Sequence, residues 1–135
     1  MYALRENSVD YMKNISHMKN NSSRNHIVPF LIGSTGFIGK VTLERLLCVS
    51  HVKHVFVLIR SKKGQSIKDR FEEMSQSACF ASCKSDFTNG RIVPFEGDIC
   101  QSNLGLKPND YRRITSEVTH IINLAASVNF SLSIF

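Results

Sequence analysis

Residues 30–40, FLIGSTGFIGK, set Gly33, Gly36 and Gly39 three apart, behind an apolar run and ahead of a helix-like one. A turn by itself needs one glycine. Three at this spacing fit a backbone that must come close to a ligand or to a neighbouring element, because each missing Cβ removes a wall. The preceding IVPFLI reads as a short buried strand starting near Ile27, with Pro29, which has no N–H to give a ladder, at its beginning. Beyond the glycines, Leu43, Leu46 and Leu47 share one helical face with Gly39, so the missing side chain there lets a helix lie close against the strand.

The alternation continues along the chain. HVFVLIR predicts a second strand, and Ile67, Phe71, Met74 and Ala78 mark a second amphipathic helix with KDRFEE on its wet side. The turn TNG announces a third strand, RIVPF; Pro108 suits the first turn of a third helix through NDYRRITSEV; and HIINLAA reads as a fourth strand. Strands and helices in strict alternation call for parallel strands joined by right-handed crossovers. The fold class is therefore α/β, a Rossmann-like doubly wound parallel sheet of which this chain holds the amino-terminal portion. The 135 residues, 42% hydrophobic and 21% charged, suit one domain or a piece of one. Residues 1–26, rich in Asn, Ser and charge, are expected to be a flexible polar leader, and 27–135 a partial domain of this fold.

Charge and cysteine usage narrow the partners. The net charge of +6 and a pI near 9.4 come from scattered Lys and Arg, without the aromatic-flanked pattern, paired metal ligands or basic helix of a nucleic-acid module. Cys48, Cys79, Cys83 and Cys100 show no CxxC spacing, and residues 1–26 lack the apolar core of a secretory leader, so reduced intracellular thiols are expected. Cys79 with Cys83, and His51 with His54, follow no known ligand frame, and no metal is expected. No apolar run reaches the roughly 20 residues of a membrane span.

In a doubly wound sheet the crevice at the carboxyl ends of the strands takes the ligand, and the first strand-to-helix turn offers free N–H groups and a helix dipole to a pyrophosphate. The glycines occupy that turn; close helix packing is the competing explanation. The GxxGxxG spacing is not followed by the Lys-Ser/Thr pair of a P-loop, which argues against an ATPase. The second strand ends twenty-one residues beyond Gly39, where an Asp or Glu would grip a ribose 2′-hydroxyl; Arg60 stands there, followed by Lys62 and Lys63. A guanidinium can bind a 2′-phosphate bidentately, so NADPH is favoured over NADH, against the alternative that Arg60 is a solvated strand-end cation. Asp98, in EGDI after the third strand, either accepts from an adenine amino group or caps a turn.

Four blocks, FLIGSTGFIGKVTLERLL, VFVLIRSKKGQSIKDRFEE, RIVPFEGDICQSNLGL and INLAASVNF, resemble in order and spacing the amino-terminal half of the fatty acyl-CoA reductases, a branch of the extended short-chain dehydrogenase/reductases. The resemblance runs from about Ile27 to the end. It implies NADPH-dependent reduction of a long-chain acyl-CoA to a fatty alcohol by way of an aldehyde. It assigns the pyrophosphate to Gly33, Thr35, Gly36, Phe37, Ile38 and Gly39, the 2′-phosphate to Arg60, the adenine to Asp98 and Ile99, and the floor under the cofactor to Ala125 and Ala126. It also implies the surface of the endoplasmic reticulum or peroxisomal membrane as location, otherwise the cytoplasm, with membrane attachment through segments absent here.

Departures from the family pattern are specific. The family's glycine block begins with Thr and carries Gly where this chain has Ile32 and Ser34, so a hydroxyl near the turn is expected to be lost and a Cβ to come close to the phosphates, and Asn123 replaces a His. The family's catalytic Tyr-x-x-x-Lys pair is missing, since Tyr2, Tyr11 and Tyr111 all lack a Lys four residues on. Without a phenol poised to donate a proton to the carbonyl, hydride transfer lacks its general acid, so no catalytic residue is assigned and the chain alone is not expected to turn over. Two readings stand: the cofactor half of a reductase whose catalytic pair and acyl-CoA pocket lie beyond Phe135, or an inactive nucleotide-binding module or truncated gene remnant. The usual strand order places the fourth strand at an open edge beside the first, which makes an isolated chain aggregation-prone.

Overall fold

A computed structural model describes residues 26–126 of the chain; the leader expected over 1–26 lies outside the described residues except for His26, as do residues 127–135. The elements are β1 (Pro29–Ile32), α1 (Phe37–Leu47), β2 (Val55–Ile59), α2 (Ile67–Ser75), β3 (Ile92–Glu96), α3 (Pro108–Glu117) and β4 (His120–Asn123), with short 3-10 turns at Ala78–Phe80, Lys84–Phe87 and Ser102–Gly105. All strand pairs are parallel and the sheet order is β3-β2-β1-β4. Pro29 does open β1, as the sequence indicates.

The side-chain alternation of the strands sorts the core into two layers. On one face Leu31, Val55, Val57, Ile59 and Ile92 pack against Leu43 and Leu47 of α1 and Met74 of α2. On the other, Phe30, Ile32, Phe56, Leu58 and Phe95 pack beneath Ile114 of α3. Helices thus cover both faces, and β2, flanked on both sides, is buried along its whole length. At the other extreme β4 pairs, among the described residues, with β1 alone, and Ile121, which shares Phe30's register, is 45% exposed because no described helix lies over it. That is the open edge expected from the strand order.

Local chemistry fixes the helix ends. Ser66 and Asp69 form a reciprocal capping box at the start of α2, and the two hydrogen bonds from the Ser66 side chain and backbone hold the Asp69 carboxyl below its usual range. Ala78, expected on the face of α2, lies beyond it. The helix tightens after Ser75, whose hydroxyl donates to the Glu72 carbonyl, and Gln76 and Ser77 donate three residues back before Ser77 turns extended. The segment that follows brings Phe80 into the core and stacks it edge-on to Phe87, at 4.9 Å between ring centroids.

The glycine turn is closed by contact rather than by side chains. A Cβ on Gly39 would overlap the Gly33 carbonyl oxygen and stand 2.8 Å from Ser34 Cα. We expect Gly39→Ala to destabilise the protein by about 3 kcal/mol or more, because the neighbouring atoms are backbone and cannot rotate aside; a urea midpoint equal to that of the wild type would show that α1 can shift freely on β1.

At the amino-terminal end of the sheet His54 stacks on Phe56, and its Nε2 lies 3.3 Å from Glu117 Oε2, within ion-pair distance but poorly aligned for a hydrogen bond. Burial holds the His54 pKa below its ordinary value despite the pull of Glu117, with Lys53 and Arg113 adding repulsion. For Glu117, burial alone would raise the pKa, but the hydrogen bond and charge of Arg113, with His54 adding to them, outweigh it and hold the carboxyl low. A histidine with a depressed folded pKa binds fewer protons folded than unfolded, so its stabilisation is complete above about pH 6.5 and is lost as pH falls through that value. Glu117 adds a loss at lower pH. Melting temperature is therefore expected to drop between pH 7.5 and 5.5, and to drop less in His54→Phe; equal slopes for the two proteins would exclude this histidine as the source.

Candidate functional site

Every residue that the sequence nominates for cofactor contact lies at or just beyond the carboxyl end of a strand. Gly33, Thr35 and Gly36 follow β1, with Phe37, Ile38 and Gly39 opening α1; Arg60 follows β2; Asp98 and Ile99 follow β3; Ala125 and Ala126 follow β4. Parallel strands point these four ends the same way, so the topology gathers residues as far apart as Gly33 and Ala126 along one edge of the sheet.

The three glycines turn out to have different structural reasons. Gly33 takes φ +87, the left-handed region, and a Cβ there would stand 2.8 Å from the Ala125 nitrogen and from the Leu124 carbonyl carbon. Gly39 is needed for closure of α1 on the turn. Gly36 meets no such limit: its φ is −76, and an added Cβ would find only the Gly33 carbonyl oxygen, at an ordinary 3.5 Å. It is exposed at the N-cap of α1, where no side chain caps the helix and no acidic residue occupies the first turn. The first N–H groups of α1 therefore have no partner within the helix, and they carry the positive end of its dipole. Phe37 and Ile38, 80% and 60% exposed, flank that opening.

Ser34 behaves otherwise than its place in the turn suggests. It is fully buried and its hydroxyl has no hydrogen-bond partner, so its side chain points into the fold and adds no Cβ on the open side of the turn. Asn123 accepts from the Ala125 N–H at 3.0 Å and so shapes the turn that passes beside Gly33.

Two clefts flank the end of β2. One, of about 350 Å³, is lined by Arg60, Ser61, Glu96, Gly97, Asp98, Gln101 and Gly105. Within it Asp98 Oδ1 accepts from the Cys100 N–H at 2.9 Å, the turn cap anticipated as one of its two roles, while Oδ2 lies 3.8 Å from Arg60 Nη1. The loop is closed by the Asp98 N–H donating to the Leu104 carbonyl at 2.7 Å, and it holds Asn103 and Leu104 at φ 51 and 57. Left-handed conformation at a leucine costs of order 1 kcal/mol or more, and Leu104 is held there by packing against the α3 side of the core.

The other cleft, of about 170 Å³, is lined by Thr35, Lys40, Lys62, Gln65, Arg70, Glu73 and Met74. Arg70, which sequence reasoning passed over as part of a solvated helix face, is central to it. Its guanidinium donates to the Arg60 carbonyl through Nη1 and to Thr35 Oγ1, at 3.3 Å, through Nη2, tying the glycine turn to the end of β2. The available signal was its spacing of one turn from the Ser66 cap, which faces the start of α2 toward the strand end. The balance of charge differs between the clefts: three cations and one carboxylate in the smaller, one cation and two carboxylates in the larger. Among the described residues no group of three or more His, Cys, Asp and Glu side chains is placed to hold a metal, and no helix is long and apolar enough to cross a membrane.

Comparison with known proteins gives this edge a context. Residues 31–134 match the NAD-binding family described as Male sterility protein. The chain is similar to fatty acyl-CoA reductase 1 of Mus musculus, 36% identical over 104 residues that make up 75% of this chain and 20% of that protein. The fatty acyl-CoA reductase wat of Drosophila melanogaster is 35% identical over 103 residues, again 75% of this chain and 20% of the other. The chloroplastic fatty acyl-CoA reductase 2 of Arabidopsis thaliana is 34% identical over 112 residues, 76% of this chain and 18% of that protein. Among solved structures, the terminal R domain of the myxalamid PKS-NRPS pathway aligns with a TM-score of 0.60 at 30% identity, over 78% of this chain and 26% of that one. The reductase domain of a non-ribosomal peptide synthetase from Mycobacterium tuberculosis aligns with a TM-score of 0.64 at 25% identity, over 87% and 28%. The chain spans about a fifth of the length of the curated relatives it matches.

Because Gly36 has room for a side chain, its replacement tests the ligand side of the turn alone. Gly36→Val is expected to leave the fold standing, within about 1 kcal/mol, and to abolish nucleotide binding by filling the space over the α1 N–H groups. Unchanged affinity in calorimetry would reduce the turn to a packing device.

Proposed function

This chain belongs to the NAD-binding family of male sterility proteins, and from that premise we propose that it forms the cofactor-binding part of a reductase that uses NADPH to reduce a long-chain fatty acyl-CoA to a fatty alcohol through the aldehyde. The observation that carries the cofactor part is Gly36: an uncapped helix N-terminus, opened by a glycine the fold does not require, on the same sheet edge as Arg60, Asp98 and Ala125. The residues fit a dinucleotide in order. The α1 N–H groups from Phe37 to Gly39 take the pyrophosphate, Gly33 and Thr35 shape the turn beneath it, and Arg60 takes the 2′-phosphate with Arg70 and Lys62 beside it. Asp98 and Ile99 face the adenine, and Ala125 and Ala126 leave a low floor toward the nicotinamide.

Two molecules of NADPH, held in turn by these residues, would supply one hydride each, the first to the thioester carbonyl carbon with release of the CoA thiol and the second to the aldehyde carbonyl carbon. None of the described residues forms a Tyr-x-x-x-Lys pair to deliver the accompanying proton: Tyr111 is followed four residues on by Thr115, whose hydroxyl donates to the Tyr111 carbonyl. Acyl-CoA recognition and protonation are therefore assigned to the part of such a reductase that this chain does not contain, in keeping with its share of the relatives' length. A nucleotide-binding module without catalysis is the second reading, favoured by that missing pair.

Arg60→Ala tests the cofactor assignment. NADPH should bind about tenfold or more weaker, as for the loss of a charge-assisted contact of roughly 1.5–3 kcal/mol, while NADH is barely affected. Equal losses for both nucleotides in titration calorimetry would remove Arg60 from 2′-phosphate recognition.

A further inference from the structure

Arg60 carries an arrangement that bears on how sharply this site separates the two nicotinamide cofactors. Its guanidinium is 59% exposed and its one ionic partner among the described residues is Asp98, at 3.8 Å. Asp98 is held in place independently, because Oδ1 accepts the Cys100 N–H and its own N–H donates to Leu104. The tethered member of the pair is thus the carboxylate, and the more exposed one is the arginine. Glu96, on the far side of Gly97, adds a second negative charge to the same cleft but is not paired with Arg60.

We propose that Asp98 is a specificity-determining residue that acts through Arg60: it competes with the cofactor's 2′-phosphate for the guanidinium, and so lowers the preference for the phosphorylated nucleotide. The inference rests on the assignment of Arg60 to the 2′-phosphate made above. An exposed ion pair at this distance contributes little to stability, so its consequence lies in what it withholds from a ligand. A 2′-phosphate engaging Arg60 must either draw the side chain off Asp98 or sit beside that carboxylate, and both oppose binding of a dianion. A free 2′-hydroxyl meets neither cost, and Arg60 can stay on Asp98. Over the few ångströms involved, one unit charge facing a dianion in a wet cleft changes affinity by a factor of roughly two to ten.

The test uses adenosine 2′,5′-bisphosphate and adenosine 5′-monophosphate, which differ by the 2′-phosphate alone. Asp98→Asn keeps an oxygen for the Cys100 N–H and removes the charge; Asp98→Ser, which can make the same turn, serves if the first variant loses its melting transition. Calorimetry on the wild type, Asp98→Asn, Glu96→Gln, Arg60→Ala and the Asp98→Asn/Arg60→Ala double variant should give a two- to tenfold gain in the ratio of bisphosphate to monophosphate affinity for Asp98→Asn, a ratio that cancels any adenine contact of Asp98 common to the two ligands. The gain in this ratio should shrink with added salt and vanish in the Arg60→Ala background. No gain, an equal change for both ligands, or an equal gain in Glu96→Gln would overturn the inference, the last by showing that net charge rather than competition for Arg60 is at work. If the wild type binds the two ligands equally and Arg60→Ala changes neither, it is the assignment of Arg60 that falls, and the inference with it.

Discussion

The structure turns on the contact between Gly39 and the Gly33 carbonyl. The first helix of a parallel α/β unit must come back over the strand it has just left, and here it does so at a distance that leaves no space for a methyl group. Close approach allows Leu43 and Leu47 to reach Leu31, Val55 and Val57, and that layer is the larger of the two cores. The same contact sets where α1 begins. Its first N–H groups are thereby aimed along the edge of the sheet where the other three strands end.

Around this fixed point the edge is organised by short polar links between segments distant in sequence. Arg70 joins the turn after β1 to the end of β2. Arg60 and Asp98 join the ends of β2 and β3. The Leu124 N–H donates to the Ile32 carbonyl, and Asn123 shapes the following turn against Gly33, joining the ends of β4 and β1. The side-chain links among them are exposed or half-buried, so they do little for stability. They set the spacing between the glycine turn, the cations and the carboxylates, which is what a dinucleotide would meet.

The asymmetry of the sheet follows from the same topology. β2 has a strand on each side and helices on both faces, and it is buried throughout; β4 has β1 on one side and nothing described on the other. Ile121 is exposed because the α3 layer covers β1, β2 and β3 and stops there. An edge of this kind, with an apolar side chain and free ladder groups, is a place where further chain or another molecule can add.

Sequence alone determined the order of elements, because apolar period and turn residues are local properties: the strand alternation, the leucine face behind Gly39, Pro29 and Pro108 at element starts, and the turn before β3 all read directly. It also placed the four strand ends along one edge, since in parallel α/β folds that follows from the order. Other features required the tertiary structure. Which glycine is free of the fold is decided by backbone atoms of other segments, Gly33 over Gly39 and Leu124–Ala125 over Gly33. The inward turn of Ser34 follows from its burial in the packed fold, and the reach of Arg70 to Thr35 and the pairing of Arg60 with Asp98 are contacts across thirty-five and thirty-eight positions of chain that no period encodes. The early end of α2 belongs with them: the Phe80 and Phe87 rings find a site against the core, and that burial outweighs one more turn carrying Ala78.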